Sequence, residues 1–215
     1  MVLFPLEYLR ERILDEIRRY TEKAENVFWV TELIYCPLRR KYMEQLTVTV
    51  DGKKIPPVIA EQLDTPSLVL GDLIHRGLEQ WLGEKGCEVE KEVEREIEVE
   101  DKKYIIRGRV DAICGDTVIE IKYARDLKSD KPLQHHVQQV QIYMWMTGLR
   151  EGKIIYVTPS RLLCFDVKAP YQEPQVALLV QETLRGEPAP RHEWECQYCP
   201  FQAICPRSRQ QMQRR

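Results

Sequence analysis

Alternating apolar and polar residues predict two neighbouring β-strands near the middle of the chain. Positions 104–113 and 117–123 are rich in Val, Ile and Tyr, and Cys114-Gly115-Asp116 between them is a turn signal. With Gly115-Asp116 as a two-residue loop, Asp111 faces Glu120, and the side-chain period of two puts Lys122 on the same face. The opposite face is apolar and suits a core: it holds Val110, Ala112, Ile119 and Ile121.

Further periodic segments predict helices that alternate with strands. The helices are predicted at 6–24, 30–45 with a break near Cys36-Pro37, 67–83, 133–148 and 173–184. The strands are predicted at 48–58 with a turn at Asp51-Gly52, and at 89–99, 153–158 and 162–167. Helix 67–83 has an apolar stripe that we expect to be buried, made of Leu70, Ile74, Leu78 and Trp81 or Leu82.

Composition narrows the class of protein without naming a partner. The 215 residues are 43% hydrophobic and 31% charged with a net charge of −2, which suits one globular domain. A nucleic-acid partner would therefore need local basic patches, for which 39–41, 122–131 and 207–215 are candidates. A phosphate-binding loop of the Gly-x-x-x-x-Gly-Lys-Ser/Thr type is absent from the sequence, which argues against a nucleotide-driven motor.

The termini and apolar runs indicate a cytoplasmic protein. No apolar run approaches the length of a membrane span, and the first residues are too quickly charged for a signal peptide. Disulfides are not the default in that compartment, so the seven cysteines call for another explanation.

The paired acids of the hairpin suggest a site for a hard divalent cation. Directly opposed side chains lie about 4.5–5.5 Å apart at Cβ, and like charges there are destabilising. A cation between Asp111 and Glu120 turns that repulsion into binding, and a nearby Lys122 completes the outline of a phosphodiesterase site. The alternative is a solvated outer face with loosely paired charges, which the hairpin alone does not exclude.

Two further segments carry polar residues that suit such a site. His75 lies on helix 67–83, where its imidazole is either a structural residue or a third ligand of the ion. Gln139 and Tyr143 lie one turn apart on helix 133–148 and share a face. They are either ordinary residues of a polar helix surface, with the tyrosine half-buried, or part of the site.

Three cysteines near the end of the chain predict a metal centre. Cys196, Cys199 and Cys205 form a C-x2-C-x5-C pattern, and Cys36 is the best candidate for a fourth thiolate. Four thiolates bind zinc or an iron–sulfur cluster, and ligands crowded at one end of the chain favour the cluster. The remaining cysteines are expected to be small buried hydrophobes: Cys87, Cys114 and Cys164.

The order of these residues resembles the PD-(D/E)xK nucleases of the RecB type that carry an iron–sulfur cluster. Among them, size and the lack of a helicase region resemble the CRISPR-associated exonucleases of the Cas-four family. The resemblance runs from about Cys36 to Cys205, and it departs from the Pro-Asp of the superfamily name, which is Val110-Asp111 here.

That resemblance implies an α/β fold with a restriction-endonuclease-like core, in which helices flank a mixed central β-sheet. Residues 67–186 would form the nuclease core of a single 1–215 domain, and 1–66 with 187–215 would form an iron–sulfur subdomain. It implies Mg²⁺ or Mn²⁺ bound by His75, Asp111 and Glu120, with Lys122 assisting the attacking water. Gln139 and Tyr143 would line the DNA path.

The resemblance also implies the cluster, the substrate and the partners. The cluster ligands would be Cys36, Cys196, Cys199 and Cys205, which hold a 4Fe–4S cluster by preference or a 2Fe–2S cluster. The substrate would be single-stranded or splayed DNA, with trimming of spacer precursors for the CRISPR integrase. Three alternatives stay open: a RecB-type repair nuclease, a non-catalytic DNA-binding adaptor with a structural metal, and a redox carrier.

Overall fold

A computed structural model describes residues 23–45, 48–50, 53–55, 66–127 and 130–208. The helices are α1 (Val30–Ile34), α2 (Pro37–Gln45), α3 (Pro66–Glu84), α4 (Gln134–Thr147) and α5 (Glu173–Arg185). The strands are β1 (Val27–Trp29), β2 (Val48–Val50), β3 (Lys53–Ile55), β4 (Glu88–Val99), β5 (Lys102–Cys114), β6 (Thr117–Tyr123), β7 (Glu151–Val157) and β8 (Leu162–Val167). A short 3₁₀ turn covers Glu195–Gln197.

The predicted elements agree with these bounds wherever the structure describes them. The predicted helix 30–45 is broken at Cys36-Pro37 into α1 and α2, and α4 ends at Gly148, whose φ of 76° only glycine adopts easily. Strands β2 and β3 pair antiparallel, and the turn predicted at Asp51-Gly52 lies outside the described residues. The predicted helix 6–24 lies outside the described residues up to position 22.

Six strands form one mixed sheet in the order β1-β5-β6-β7-β8, with β4 paired along β5. The pairs β1–β5 and β6–β7 are parallel, and the pairs β4–β5, β5–β6 and β7–β8 are antiparallel. The parallel pairs join segments that are distant in sequence, whereas the hairpins join neighbours. The expected fold of an α/β protein with a mixed central sheet is confirmed.

Helices α3 and α4 cover opposite faces of this sheet. On β7, a Cβ at Gly152 would lie 2.5 Å from Val140 of α4, so only glycine allows that close approach. Ile155, three positions on, faces the other way and packs with Leu82 of α3 against Ala112, Ile119 and Ile121. The apolar face that the hairpin pattern predicted is therefore buried.

The buried stripe of α3 differs in part from the prediction. Leu82 is buried, and Ile74 and Leu78 pack against the same cluster. Trp81 is exposed because it lies off the i, i+4, i+8 face that packs on the cluster, whereas Leu70 is exposed although it lies one turn before Ile74 on that face. No helix in the described part of the chain combines the length and apolar character needed to cross a bilayer.

By contact density the chain divides into two units. The first comprises 1–25, 35–69 and 181–215, and the second comprises 26–34 and 70–180. The six strands of the mixed sheet and the predicted catalytic residues belong to the second unit. The first unit contains the cysteines Cys36, Cys196, Cys199 and Cys205.

Candidate functional site

The β5–β6 hairpin has the register that the turn signal predicts. Cys114 pairs with Thr117 and Ala112 with Ile119, around Gly115 with a φ of +58°. Backbone pairing between β5 and β6 ends at Ala112 and Ile119. Beyond that pair a side chain makes the contact: Oδ2 of Asp111 accepts a hydrogen bond from the N–H of Ile121 at 2.6 Å. Asp111 is therefore fixed beside Glu120 by its carboxylate, which takes the place of a backbone partner.

Glu120 is the most deeply buried acid of the site. It is 1% exposed, and its Oε1 accepts a hydrogen bond from Nζ of Lys122. Its Oε2 is buried without a hydrogen-bond partner among the described residues. Burial, reinforced by the Asp111 charge, raises the pKa of Glu120 to about 7. A cation beside it would lower that pKa and would supply the missing partner for Oε2.

Helix α3 contributes His75 and Glu79 to the site beside Asp111. Nδ1 of His75 lies 3.6 Å from Oδ1 of Asp111 and 3.8 Å from Oε1 of Glu79. Burial alone would lower the pKa of His75, but the two carboxylates outweigh it and raise that pKa to about 10. A metal ion would have to displace this proton, so proton and metal compete for the imidazole.

Glu79 is a residue of this site that the sequence interpretation missed. It is buried, and its ligand atom, that of His75 and that of Asp111 all lie within 4.8 Å of one another. The signal was present as His75-x-x-x-Glu79, a spacing of one helical turn that places both side chains on one face.

Gln139 and Tyr143 share a face of α4, as the spacing predicts. Nε2 of Gln139 donates to the Tyr143 hydroxyl at 3.3 Å, and both side chains are buried. The ring of Tyr143 lies over β5, where a Cβ at Gly108 would come within 2.4 Å of it. Their role in a DNA path stays a prediction.

Comparison with known proteins gives the family. The model of the PD-(D/E)XK nuclease superfamily matches residues 84–206. The CRISPR-associated exonuclease Cas4 of Saccharolobus solfataricus is 38% identical in an alignment 208 residues long that covers 93% of this chain and 96% of that protein. The chain belongs to the CRISPR-associated exonuclease Cas4 family.

A solved structure of the protein SSO0001 agrees with this assignment. It superposes with a TM-score of 0.83 at 37% identity, over 95% of this chain and 97% of that one. The expected family and class of enzyme are confirmed: the chain is a metal-dependent nuclease with the PD-(D/E)XK fold.

The four predicted cluster ligands of this Cas4-family chain line one cavity. Cys36, Cys196, Cys199 and Cys205 surround a volume of about 170 Å³, next to Tyr42. Cys36 immediately precedes α2, and the turn around Glu195–Gln197 carries Cys196. Burial raises the pKa of the Cys36 thiol to about 11, so a metal would have to displace its proton as well.

The Glu195 carboxylate ties these two cysteine segments together. Its Oε1 accepts the N–H of Cys36 at 2.7 Å, and its Oε2 accepts the N–H of His192 at 2.9 Å. Such charge-assisted bonds from a buried acid fix the backbone on both sides of the cavity.

The expectation for the other three cysteines was wrong in two respects. Cys87 and Cys114 form a disulfide, because the β4–β5 register places Cys87 opposite Cys114 with their Cα atoms 4.4 Å apart. Cys164 is exposed, since it lies on the outer face of β8.

His136, a neighbour of the site on α4, predicts a pH dependence of stability. Burial lowers its pKa to about 2, and its Nδ1 lies 2.7 Å from the Tyr156 hydroxyl. Below about pH 6.5 the imidazole takes up a proton in the unfolded chain but not in the folded chain. The free energy of unfolding therefore decreases by about 1.4 kcal/mol for each unit by which the pH is lowered below that value.

Urea unfolding of wild type and His136→Gln at pH 7.5 and pH 5.0 measures this contribution. The variant should lose about 2 kcal/mol less unfolding free energy between the two pH values than the wild type loses. Equal losses in both proteins would mean that His136 is not held neutral.

Proposed function

We propose that this chain hydrolyses DNA that is single-stranded or has splayed single-stranded ends, as an exonuclease or endonuclease. Its ion would be Mg²⁺ or Mn²⁺, held by His75, Asp111 and Glu120, with Lys122 assisting. The observation that carries the proposal is the set of groups at this hairpin: Asp111 lies 3.6 Å from His75, Glu120 accepts a hydrogen bond from Lys122, and Glu120 Oε2 is buried without a partner in the described structure.

The residues fit a hard divalent ion. Two carboxylates and one imidazole are the oxygen and nitrogen donors that Mg²⁺ and Mn²⁺ accept. When bound, the ion polarises a phosphoryl oxygen and lowers the pKa of water. The burial of Glu120 and Asp111 keeps bulk water away from these charges and strengthens their electrostatic interactions.

Lys122 supplies positive charge on the same side of the hairpin. Its ammonium group donates to Glu120 Oε1 and acts electrostatically on Asp111 and His75. That placement suits a group that orients the attacking water or offsets negative charge developing on the phosphate.

We also propose an iron–sulfur cluster held by Cys36, Cys196, Cys199 and Cys205, with 4Fe–4S favoured and 2Fe–2S as the alternative. The shared cavity and the Glu195 tie support a preformed cradle. The cluster would be structural and would hold 1–66 and 187–215 together as a subdomain, since thiolate ligation contributes directly to folding free energy. Zinc fits the same four donors and is the competing occupant.

A relative supports the biological setting that we propose. The Saccharolobus solfataricus protein is a CRISPR-associated exonuclease, so processing of spacer precursors in CRISPR adaptation is the role we propose, with the CRISPR integrase complex as a partner. A general repair nuclease of the RecB type would use the same site, and both directions of cleavage would use it too.

Metal removal tests the proposed chemistry. Purified protein is assayed on end-labelled single-stranded DNA after treatment with EDTA, then again after addition of Mn²⁺ or Mg²⁺. We expect no products with EDTA and restored cleavage with either ion, because the carboxylates cannot act on the phosphate without the cation. DNA binding without products under every condition would favour the non-catalytic adaptor.

A further inference from the structure

Glu79 is an acidic residue that is buried rather than exposed to solvent. It lies one turn after His75 on α3 and is 7% exposed, which is unusual for an acid. Among the described residues its ion pair is with His75, at 3.8 Å from Nδ1. A largely buried carboxylate whose ion-pair partner is 3.8 Å away is able to accept a cation as a closer partner.

The distances around His75 Nδ1 are too long for direct hydrogen bonds and leave room for an ion. Hydrogen bonds to nitrogen span about 2.7–3.2 Å, and both the 3.6 Å and the 3.8 Å separations exceed that range. For an octahedral ion with bonds of about 2.1 Å, neighbouring ligands lie about 3.0 Å apart and opposite ligands about 4.2 Å apart. The observed separations lie between these two values, so the donors would have to shift by less than about 1 Å to enclose such an ion.

A second observation, on Glu120, also indicates a cation at this site. Oε2 of Glu120 is buried and has no hydrogen-bond partner in the described part of the chain. The Glu120 carboxylate interacts electrostatically with both Asp111 and His75. This oxygen is a further possible acceptor for a cation, in addition to the mutually close ligand atoms of His75, Glu79 and Asp111.

We propose that Glu79 is a direct ligand of the catalytic ion, in addition to His75, Asp111 and Glu120. This inference rests on the proposed function, and it makes α3 the source of two ligands, with the hairpin supplying the other two. Three carboxylates and one neutral imidazole form a harder and more negative site than two carboxylates, which favours Mg²⁺ and Mn²⁺ over softer metals.

The competing role for Glu79 is to position His75. In many metal sites a carboxylate orients the ligating histidine without contacting the ion. The two roles predict different energetic coupling between Glu79 and His75, so a double-mutant cycle separates them.

The experiment measures Mn²⁺ binding to the full-length protein without DNA, from the electron paramagnetic resonance signal of free Mn²⁺. Glu79→Gln keeps the size of the side chain and should weaken binding more than about tenfold. Glu84→Gln is the matched control, because Glu84 is exposed on the same helix and accepts a hydrogen bond from Gln80. It should bind as the wild type does, and thermal melts should show all variants folded.

The second arm repeats the measurement in a His75→Ala background. A direct ligand still contributes when His75 is absent, so His75→Ala/Glu79→Gln should bind Mn²⁺ at least several-fold more weakly than His75→Ala alone. Equal affinity of these two proteins would overturn the inference and would make Glu79 a positioning residue.

Failure of the inference and failure of the proposed function give different results. Wild-type affinity in Glu79→Gln, together with Mn²⁺-dependent DNA cleavage, would reject Glu79 as a ligand and keep His75, Asp111 and Glu120. Wild-type protein that neither binds Mn²⁺ nor cleaves DNA would reject both.

Discussion

Replacing Asp111 with alanine should reduce DNA cleavage by more than about 100-fold, beyond the effect typical of residues that only support a ligand. The carboxylate has two functions, since Oδ1 lies beside His75 and Oδ2 accepts the Ile121 N–H. Alanine removes the proposed ligand and also frees the backbone next to Glu120. The check is a single-turnover assay with Mn²⁺ on labelled single-stranded DNA.

Two further variants separate the functions of this carboxylate. Asp111→Asn keeps an oxygen that can accept the Ile121 N–H but lacks the charge, and we expect it to be nearly as inactive as the alanine variant. Asp116→Asn, in the exposed turn of the same hairpin, should cleave like the wild type. Full activity of Asp111→Ala would reject the assignment of this residue.

Removing one cysteine of the cavity should abolish the cluster and destabilise the protein. Cys199→Ala should lose the visible absorption expected of an iron–sulfur protein, together with more than about 4 kcal/mol of unfolding free energy, because ligation and folding are coupled. The measurements are the absorption spectrum of protein prepared without air, its iron content, and urea unfolding.

Cys164→Ala is the matched control for this variant. Cys164 is exposed and lies outside the cavity, so its replacement should leave the spectrum and stability unchanged. An unchanged spectrum in Cys199→Ala would contradict the proposed ligand set. A colourless wild-type protein that contains zinc after preparation without air would replace the cluster with a zinc ion.

The hairpin that carries the acids was predictable because local rules determine it. A turn signal determines the register of the hairpin. The side-chain period of two then places Glu120 on one face of the strand, and Ile119 and Ile121 on the other. The sequence could not show that pairing ends at Ala112–Ile119 and that the Asp111 side chain takes the Ile121 N–H. That detail depends on how the strands diverge in the folded sheet.

Features that depend on distant segments were harder to predict. The disulfide follows from the β4–β5 register, in which Glu88 pairs with Ile113 and the preceding cysteine meets the following one. In the sequence, Glu79 looks like an ordinary polar residue on a helix. It becomes part of a candidate metal site only because the fold brings Asp111 close to His75, one turn before Glu79. The cysteine ligands were easier to identify, since three of them lie within ten residues of one another.

The most direct test of the account is anomalous diffraction from crystals grown with Mn²⁺. We expect a manganese peak within about 2.5 Å of His75 and of oxygens from Asp111 and Glu120, the distance range of such ligands. A peak elsewhere, or no peak in crystals of protein that cleaves DNA with Mn²⁺, would contradict the claim that this hairpin holds the catalytic ion.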